Sequence, residues 1–237
     1  MPVVMTETVL VIVCKKPQPG FGKQRLAVRF GAQLTHEIAQ ALLACAFEDA
    51  GAWPGPVVLS PAHQEDVAWA REQANRIGRV CHVLPQIEGN LGQRLNALDQ
   101  TLRSRGMSRL IFIGSDSPGL GLEDYVTVDR QLESSDVVLM PAADGGVVVM
   151  ANRRYWPDLS ALPWSTAGLR AALTDACRMA GISVHLAREG YDIDEPDDFL
   201  RLADWLASDN RPARRALHAL AVKTRSAMYD DKSHTHA

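Results

Sequence analysis

The sequence predicts an α/β domain built on a parallel sheet, and three observations carry that prediction. Thr8 to Cys14 (TVLVIVC) is a continuous β-branched run of the kind buried on both faces of a parallel sheet. Strand and helix patterns then alternate along the chain, a rhythm that implies right-handed crossovers. A second apolar run, Leu110 to Ile113, stops at Gly114 and places Asp116 just past a strand's carboxyl end. In open α/β sheets the crevice outside those ends is where ligands bind.

The elements follow in order. Gln33 to Ala50 carries apolar residues at helical spacing (Leu34, Ile38, Ala41, Leu42, Cys45, Ala46) and reads as the first crossover helix. Pro56–Ser60 is a short strand, His63–Arg76 a helix and Arg79–Leu84 another strand. Asn90 is placed to cap a helix running to about Arg105. After the strand ending at Ile113 come a helix over Leu122–Leu132, a strand over Asp136–Met140 and a strand over Val147–Met150. A helix over Ala167–Ala180 with Ser165 or Thr166 as its cap, a strand over Ile182–Ala187 and a helix over Phe199–Ala207 complete the pattern.

At 237 residues, 46% hydrophobic and 22% charged, the chain can bury a full core without covalent staples. Its net charge of −3 gives no sign of nucleic-acid binding and points to small-molecule partners. Cys14, Cys45, Cys81 and Cys177 form no CxxC pair, which argues against a zinc site and a disulfide framework and fits reduced thiols in a cytoplasm. The N-terminal residues have the wrong order for a secretory leader. No apolar stretch approaches the roughly 20 residues that span a bilayer. The stretch from Asp209 has six basic residues against three acidic ones, so it is +3 while the remainder is −6. The division expected is a domain over 1–207 and a basic appendage over 208–237, helical from Ala213 to Val222 and disordered around His234 and His236.

Four segments carry candidate chemistry. Lys15 to Leu26 (KKPQPGFGKQRL) is a loop in which prolines and glycines forbid helix, and Lys15, Lys16, Lys23 and Arg25 gather in it. It is either a phosphate cradle, with Pro19 and Gly20 shaping the backbone, or a solvated basic loop. Gly89 and Gly92 leave backbone N–H groups accessible near Arg94, which faces solvent or the crevice. Asp116, preceded by Ser115 and stiffened by Pro118, is a ligand for a hard cation such as Mg²⁺ or Mn²⁺ or a helix cap. Asp144-Gly145-Gly146 is either a plain hairpin turn or a turn whose glycines let a substrate approach the backbone. Asp192 and Asp194, two apart in an extended segment, can point to one side and either hold a cation or cap the helix that follows, whereas Asp197 and Asp198 complement its dipole.

Together the motifs carry a family resemblance. Pro-Gly…Lys-x-Arg-Leu, Leu-Gly-x-Arg, Gly-Ser-Asp-x-Pro, Asp-Gly-Gly, Pro-Trp-Ser-Thr and Asp-x-Asp-x-Pro-x-Asp occur in that order between about Val9 and Leu206. This resembles a bacterial group of glycosyltransferase-A-like proteins of the nucleotide-diphospho-sugar transferase superfamily, among them arsenosugar-biosynthesis glycosyltransferases. The superfamily also holds the phospholactate or phosphoenolpyruvate guanylyltransferase and the molybdenum-cofactor nucleotidyltransferase. The resemblance implies a Rossmann-like three-layer α/β/α fold with a mixed, mostly parallel sheet. It implies phosphate contacts from Lys23 and Arg25, with Lys15, Pro19, Gly20, Gly92, Arg94 and Ser115 around the nucleotide. Asp116, Asp192 and Asp194 would hold Mg²⁺ or Mn²⁺, and Asp144, Gly145, Gly146, Ser165 and Thr166 would line the acceptor side. The activity implied is glycosyl transfer from a nucleotide sugar to a small acceptor. The alternatives are nucleotidyl transfer to a small anionic acceptor and a non-catalytic nucleotide-binding protein. The chain departs from the pattern at Gln24, where the family has Thr, and at Val147-Val148-Val149, where it has aromatic residues.

Overall fold

The computed structural model describes residues 7–78 and 81–234. Seven strands form one sheet: β1 (Val9–Cys14), β2 (Val57–Pro61), β3 (Cys81–Val83), β4 (Leu110–Ile113), β5 (Val137–Pro141), β6 (Val147–Asn152) and β7 (Val184–Leu186). Their order is β3-β2-β1-β4-β6-β5-β7. β1 lies parallel to β2 and β4, and β5 lies parallel to β7. Among the described strands only β6 runs antiparallel to its neighbours, β4 and β5, so the sheet is mixed and mostly parallel. Of the strand expected over residues 79–84, Arg79 and Val80 lie outside the described residues, as does His236.

The helices are α1 (Gln24–Ala52), α2 (Val67–Ile77), α3 (Leu91–Ser104), α4 (Leu122–Gln131), α5 (Leu169–Met179), α6 (Pro196–Trp205) and α7 (Pro212–His234), with a short 3₁₀ turn at Gln64–Asp66. Strand alternation explains how they layer. Leu10 and Ile12 face α1, α2 and α4 through Leu43, Ala46, Ala74 and Val128, whereas Val9 and Val11 face α3 and α5 through Leu95, Leu98 and Leu173. A third apolar cluster joins α7 to α1 and α6: Leu217 and Ala221 pack with Ile38, Leu42, Phe199 and Leu202.

Three boundaries differ from expectation. Helix α1 begins at Gln24, inside the segment expected to stay non-helical, because the last glycine of the loop is Gly22 and no glycine or proline follows until Gly31. The helix breaks at Gly31 (φ 76°, ψ 166°), which is why the apolar period is readable only from Gln33 onward. Helix α5 is capped by Gly168 and not by Ser165 or Thr166; the Thr166 hydroxyl instead donates to the Pro163 carbonyl at 2.8 Å. Helix α6 starts at Pro196, where proline suits a first helical position, and Glu195 and Asp198 close a capping box around it.

The consequence for function is geometric. β4, β5 and β7 all run the same way as β1, because each antiparallel step onto β6 is undone by the next. The loops that follow these four strands therefore gather at one end of the sheet. They are the basic loop, the Asp116 turn, the Asp144 turn and the Asp192–Asp194 segment.

Candidate active site

Lys23 sits at the centre of this end. It precedes α1 in the left-handed backbone conformation (φ 47°, ψ 43°), uncommon for a residue with a Cβ. Its Nζ lies 3.1 Å from Asp116 Oδ1 and 3.2 Å from Asp194 Oδ1, and it donates to the Ile193 carbonyl. The ammonium is largely buried, while the two carboxylates remain nearly half exposed, at 44% and 45%. Burial alone would lower the lysine's pKa, but Asp116 and Asp194 outweigh it and hold it above the ordinary value. The backbone adds a direct tie: the Ile193 N–H donates to the Asp116 carbonyl at 2.9 Å. Two segments some 75 residues apart in sequence are thus locked side by side.

Asp192, Asp194 and Asp144 form the second half of the site. One carboxylate oxygen from each lies within 4.8 Å of the others. Asp144 reaches this group because the strand order puts β7 beside β5. Gly190 N–H bonds the Pro141 carbonyl at 2.8 Å, and the chain beyond it runs past the β5–β6 turn. Desolvation, followed by repulsion from Asp194 and Asp144, pushes the Asp192 carboxyl up to about 6. Three carboxylates held this close repel one another unless a proton or a cation intervenes. An all-oxygen donor set of this kind fits a hard divalent ion such as Mg²⁺ or Mn²⁺.

The Asp144 turn is a hairpin as its sequence predicts, and it is also docked. Gly145 has φ +89°, and a Cβ there would stand 2.2 Å from the Ala167 carbonyl oxygen, so only glycine fits. Its carbonyl accepts from Arg170 N–H at 3.1 Å. This contact ties the turn to Ala167 and Arg170, immediately after Ser165 and Thr166, which are expected on the acceptor side. Ser165 (φ 62°) and Lys23 are the two non-glycine residues with positive φ among the described residues, and both stand at this end of the sheet. Where the resemblance expects aromatic residues, Val148 and Val149 are buried β6 side chains, and Val148 packs against Gly190.

The remaining residues divide by contact. Lys15, Pro19 and Gly20 are exposed on the basic loop, and Lys15 has no ion pair among the described residues. Arg25 pairs with Glu195 at 3.0 Å in a mostly exposed contact. The Ser115 hydroxyl donates to Asp116 Oδ1 at 3.3 Å. Asn90 caps α3 as predicted, with Gln93 completing the box. Arg94 Nε donates to the Gly89 carbonyl at 2.7 Å and so stiffens that loop. Gly92 is buried, and a Cβ there would sit 2.0 Å from the Leu159 carbonyl oxygen, so its lack of a side chain serves close packing. The four cysteines are free. No helix among the described residues is long and apolar enough to cross a membrane.

Residues 33–166 match the model of a family described as uncharacterised proteins conserved in bacteria, DUF2064. The chain belongs to that family. No curated protein matches the sequence. Among solved structures it is similar to a candidate nucleotide-diphospho-sugar transferase from Desulfovibrio desulfuricans. That match has a TM-score of 0.82 at 20% identity and covers 94% of this chain and 96% of the other. A cytidylyltransferase from Leptospira borgpetersenii matches with TM-score 0.52 at 12% identity, covering 94% and 96%. The CMP:2-keto-3-deoxy-manno-octonic acid synthetase solved with CTP matches with TM-score 0.50 at 13% identity, covering 86% and 100%. At these identities the likeness establishes the fold: the DUF2064 chain has the Rossmann-like α/β fold of nucleotide-diphospho-sugar transferases.

Two contributions escaped the sequence reading. Asp144, expected on the acceptor side, has its carboxylate beside those of Asp192 and Asp194. Arg214, in the basic stretch, is fully buried and bonded to the turn that follows Asp116.

Proposed function

We propose that this protein is a divalent-metal-dependent transferase that binds a nucleotide sugar at the carboxyl end of the sheet and transfers its glycosyl group to a small-molecule acceptor. The observation that carries the reading is the convergence of four carboxylates and one ammonium. Asp144, Asp192 and Asp194 lie within 4.8 Å of one another, and Lys23 joins Asp194 to Asp116. In this reading Asp144, Asp192 and Asp194 hold Mg²⁺ or Mn²⁺, with Asp116 at the rim of the same site. A cation there would offset the negative charge that builds on the donor's phosphate oxygens as the bond to the sugar breaks.

The chain's own residues supply the rest. Lys23, pre-positioned between two carboxylates, can turn its ammonium to a phosphate once a cation takes over its partners. Arg25 offers a planar fork beside it, and Lys15 a further charge from the loop. Ser115 steadies Asp116, and Arg94 holds the glycine loop on the nucleotide side. Ser165, Thr166 and the Gly145-Gly146 backbone orient the acceptor, and orientation alone accounts for much of such a rate enhancement.

A second reading, nucleotidyl transfer to a phosphate- or carboxylate-bearing acceptor, is favoured by one feature. The side chains that meet at the site are carboxylates and a protonated lysine, and such an acceptor needs no general base. The cytidylyltransferase and synthetase that share the fold support the same alternative.

Both readings are tested by a thermal-shift screen of nucleoside triphosphates and nucleotide sugars, with and without Mg²⁺ or Mn²⁺, on wild type and on Asp116→Asn and Asp192→Asn. A ligand at about 100 times its Kd adds roughly 2.7 kcal/mol. The expected result is a metal-dependent rise in Tm that both variants abolish. A nucleotide sugar as the preferred ligand favours glycosyl transfer, and a triphosphate with pyrophosphate release favours the second reading. Binding without turnover on any acceptor would leave a nucleotide-binding protein, and no shift with any nucleotide overturns both readings.

A further inference from the structure

Arg214 stands out as a charged side chain in α7 with no exposed surface. Its guanidinium is fully engaged. Nη1 lies 2.9 Å from Glu48 Oε2 and 2.5 Å from the Cys45 carbonyl, and Nη2 lies 2.7 Å from Asp49 Oδ2. These contacts fasten it to α1. The other face of the fork points to the loop after β4: Nε donates to the Pro118 carbonyl at 3.1 Å and Nη2 to the Leu120 carbonyl at 3.0 Å. Arg211 adds a second donor to Leu120, at 2.8 Å, and pairs with Asp49 at 3.2 Å. Pro118 and Leu120 are buried, so these carbonyls would otherwise face the interior without a donor.

That loop is the turn that carries Asp116. Only Ser117 separates Asp116 from Pro118, whose carbonyl is the first that Arg214 grips. On its other side, Asp116 is held by Lys23 and by the Ile193 N–H. The turn is therefore clamped between α1 and α7 beneath and the acidic segment above. We propose that Arg214 is a positioning residue of the active site: anchored on Glu48 and Asp49, it fixes the Pro118–Leu120 backbone and thereby the placement of Asp116. On this view α7 is a working part of the site and not a dispensable tail. The inference rests on the cation-site reading above for its functional consequence, and on the hydrogen bonds alone for its mechanical one.

The test compares three variants of the full chain. Arg214→Lys keeps the charge beside Glu48 and Asp49 but loses the planar fork that spans both carbonyls. Arg211→Gln removes the outer donor and is the milder change should the first variant fold poorly. Tyr125→Phe removes the 2.8 Å bond from the Tyr125 hydroxyl to Asp49, in the same buried network, without touching the turn. Two quantities are measured well below each variant's Tm: Mn²⁺ affinity by electron paramagnetic resonance, and amide hydrogen exchange over residues 117–121. Arg214→Lys is expected to bind Mn²⁺ more weakly by up to about 10-fold, the low end of what is lost when a group bonded directly to a metal ligand is removed, because it acts on Asp116 through the backbone, with faster exchange across the turn. Arg211→Gln should move both readouts less and in the same direction, and Tyr125→Phe neither. If Arg214→Lys and Arg211→Gln match Tyr125→Phe in both readouts, the proposal is wrong and Arg214 serves stability alone. If wild type binds no Mn²⁺, the cation-site reading falls by itself, and the exchange measurement still decides whether Arg214 holds the turn.

Discussion

Two ion-pair networks lie on opposite sides of the Asp116 turn, and they solve opposite problems. In the buried network, Arg214, Arg211, Glu48, Asp49 and the Tyr125 hydroxyl satisfy one another, with Arg214 and Asp49 at 0% and 4% exposure. In the open network, Lys23 serves Asp116 and Asp194, whose carboxylates stay 44% and 45% exposed, while Asp192 and Asp144 crowd against Asp194. A buried charge without a partner is expensive, so each partner missing from the first network lowers the stability of the fold. Half-exposed carboxylates can tolerate excess negative charge, and a surplus kept at the mouth of a crevice is available to a ligand. Polar groups thus hold shape on one side of the turn and are left over for chemistry on the other.

The largest effect expected from breaking this contrast is in the buried network. Arg214→Met leaves Asp49 in the interior without its main partner, and removing one side of a buried pair costs about 3–5 kcal/mol. For a chain of this size that is a fall in Tm of roughly 6–20 °C, read by differential scanning calorimetry, at about 2–4 °C per kcal/mol. A loss no larger than that of a surface substitution would show that the network is not holding the fold.

The open network should respond with the opposite sign. Asp192 has its carboxyl pushed up to about 6 from an ordinary 3.8. The folded state therefore binds the proton more tightly than the unfolded state does. That contribution to stability is fully present below the unfolded pKa and is lost as pH rises through about 6. At pH 7, Asp192→Asn is expected to stabilise the protein by on the order of 1–3 kcal/mol while abolishing divalent-ion binding. In the wild type, ion affinity should strengthen between pH 5 and 7, because the cation competes with that proton, and the variant should lose this dependence. Chemical denaturation at pH 5 and 7 with and without Mg²⁺ reads both. Destabilisation by Asp192→Asn at pH 7 would mean that the carboxylate is satisfied within the protein.

The contrast also explains what could be read from the sequence. The sheet was legible because TVLVIVC and LIFI are buried on both faces, and a run without alternation marks such strands. Lys23, Asp116, Asp192 and Asp194 were legible as chemistry because each follows a strand end or a turn signal. Their convergence was not, since it depends on β6 inserting between β4 and β5 and on β7 pairing with β5, long-range choices that local pattern does not encode. The same pairing brings Asp144 to the acidic group. Arg214 did leave a trace: it shares a helical stripe with Leu217, Ala221 and Thr224, all buried, so a charge stood on an apolar face. Beside Arg211 and Arg215 it read as one more member of a basic tail.

The smallest stability effect is expected where an ion pair belongs to neither network. Arg25 and Glu195 meet at 3.0 Å, but their side chains are 64% and 55% exposed. Exposed pairs of this kind contribute about 0–1 kcal/mol, and Arg25→Ala should sit at the low end of that range. The proposed role of Arg25 makes a different demand, because a phosphate approaching Lys23 passes the start of α1, where Arg25 is the next cation. Arg25→Ala is therefore expected to leave Tm nearly unchanged in the absence of ligand and to reduce the Tm rise produced by a nucleotide with Mg²⁺. Added salt should shrink that difference, since it acts between solvent-exposed charges. Equal nucleotide-induced shifts in Arg25→Ala and wild type at low salt would remove Arg25 from the phosphate site and leave Lys23 as the cation from this loop that the open network places there.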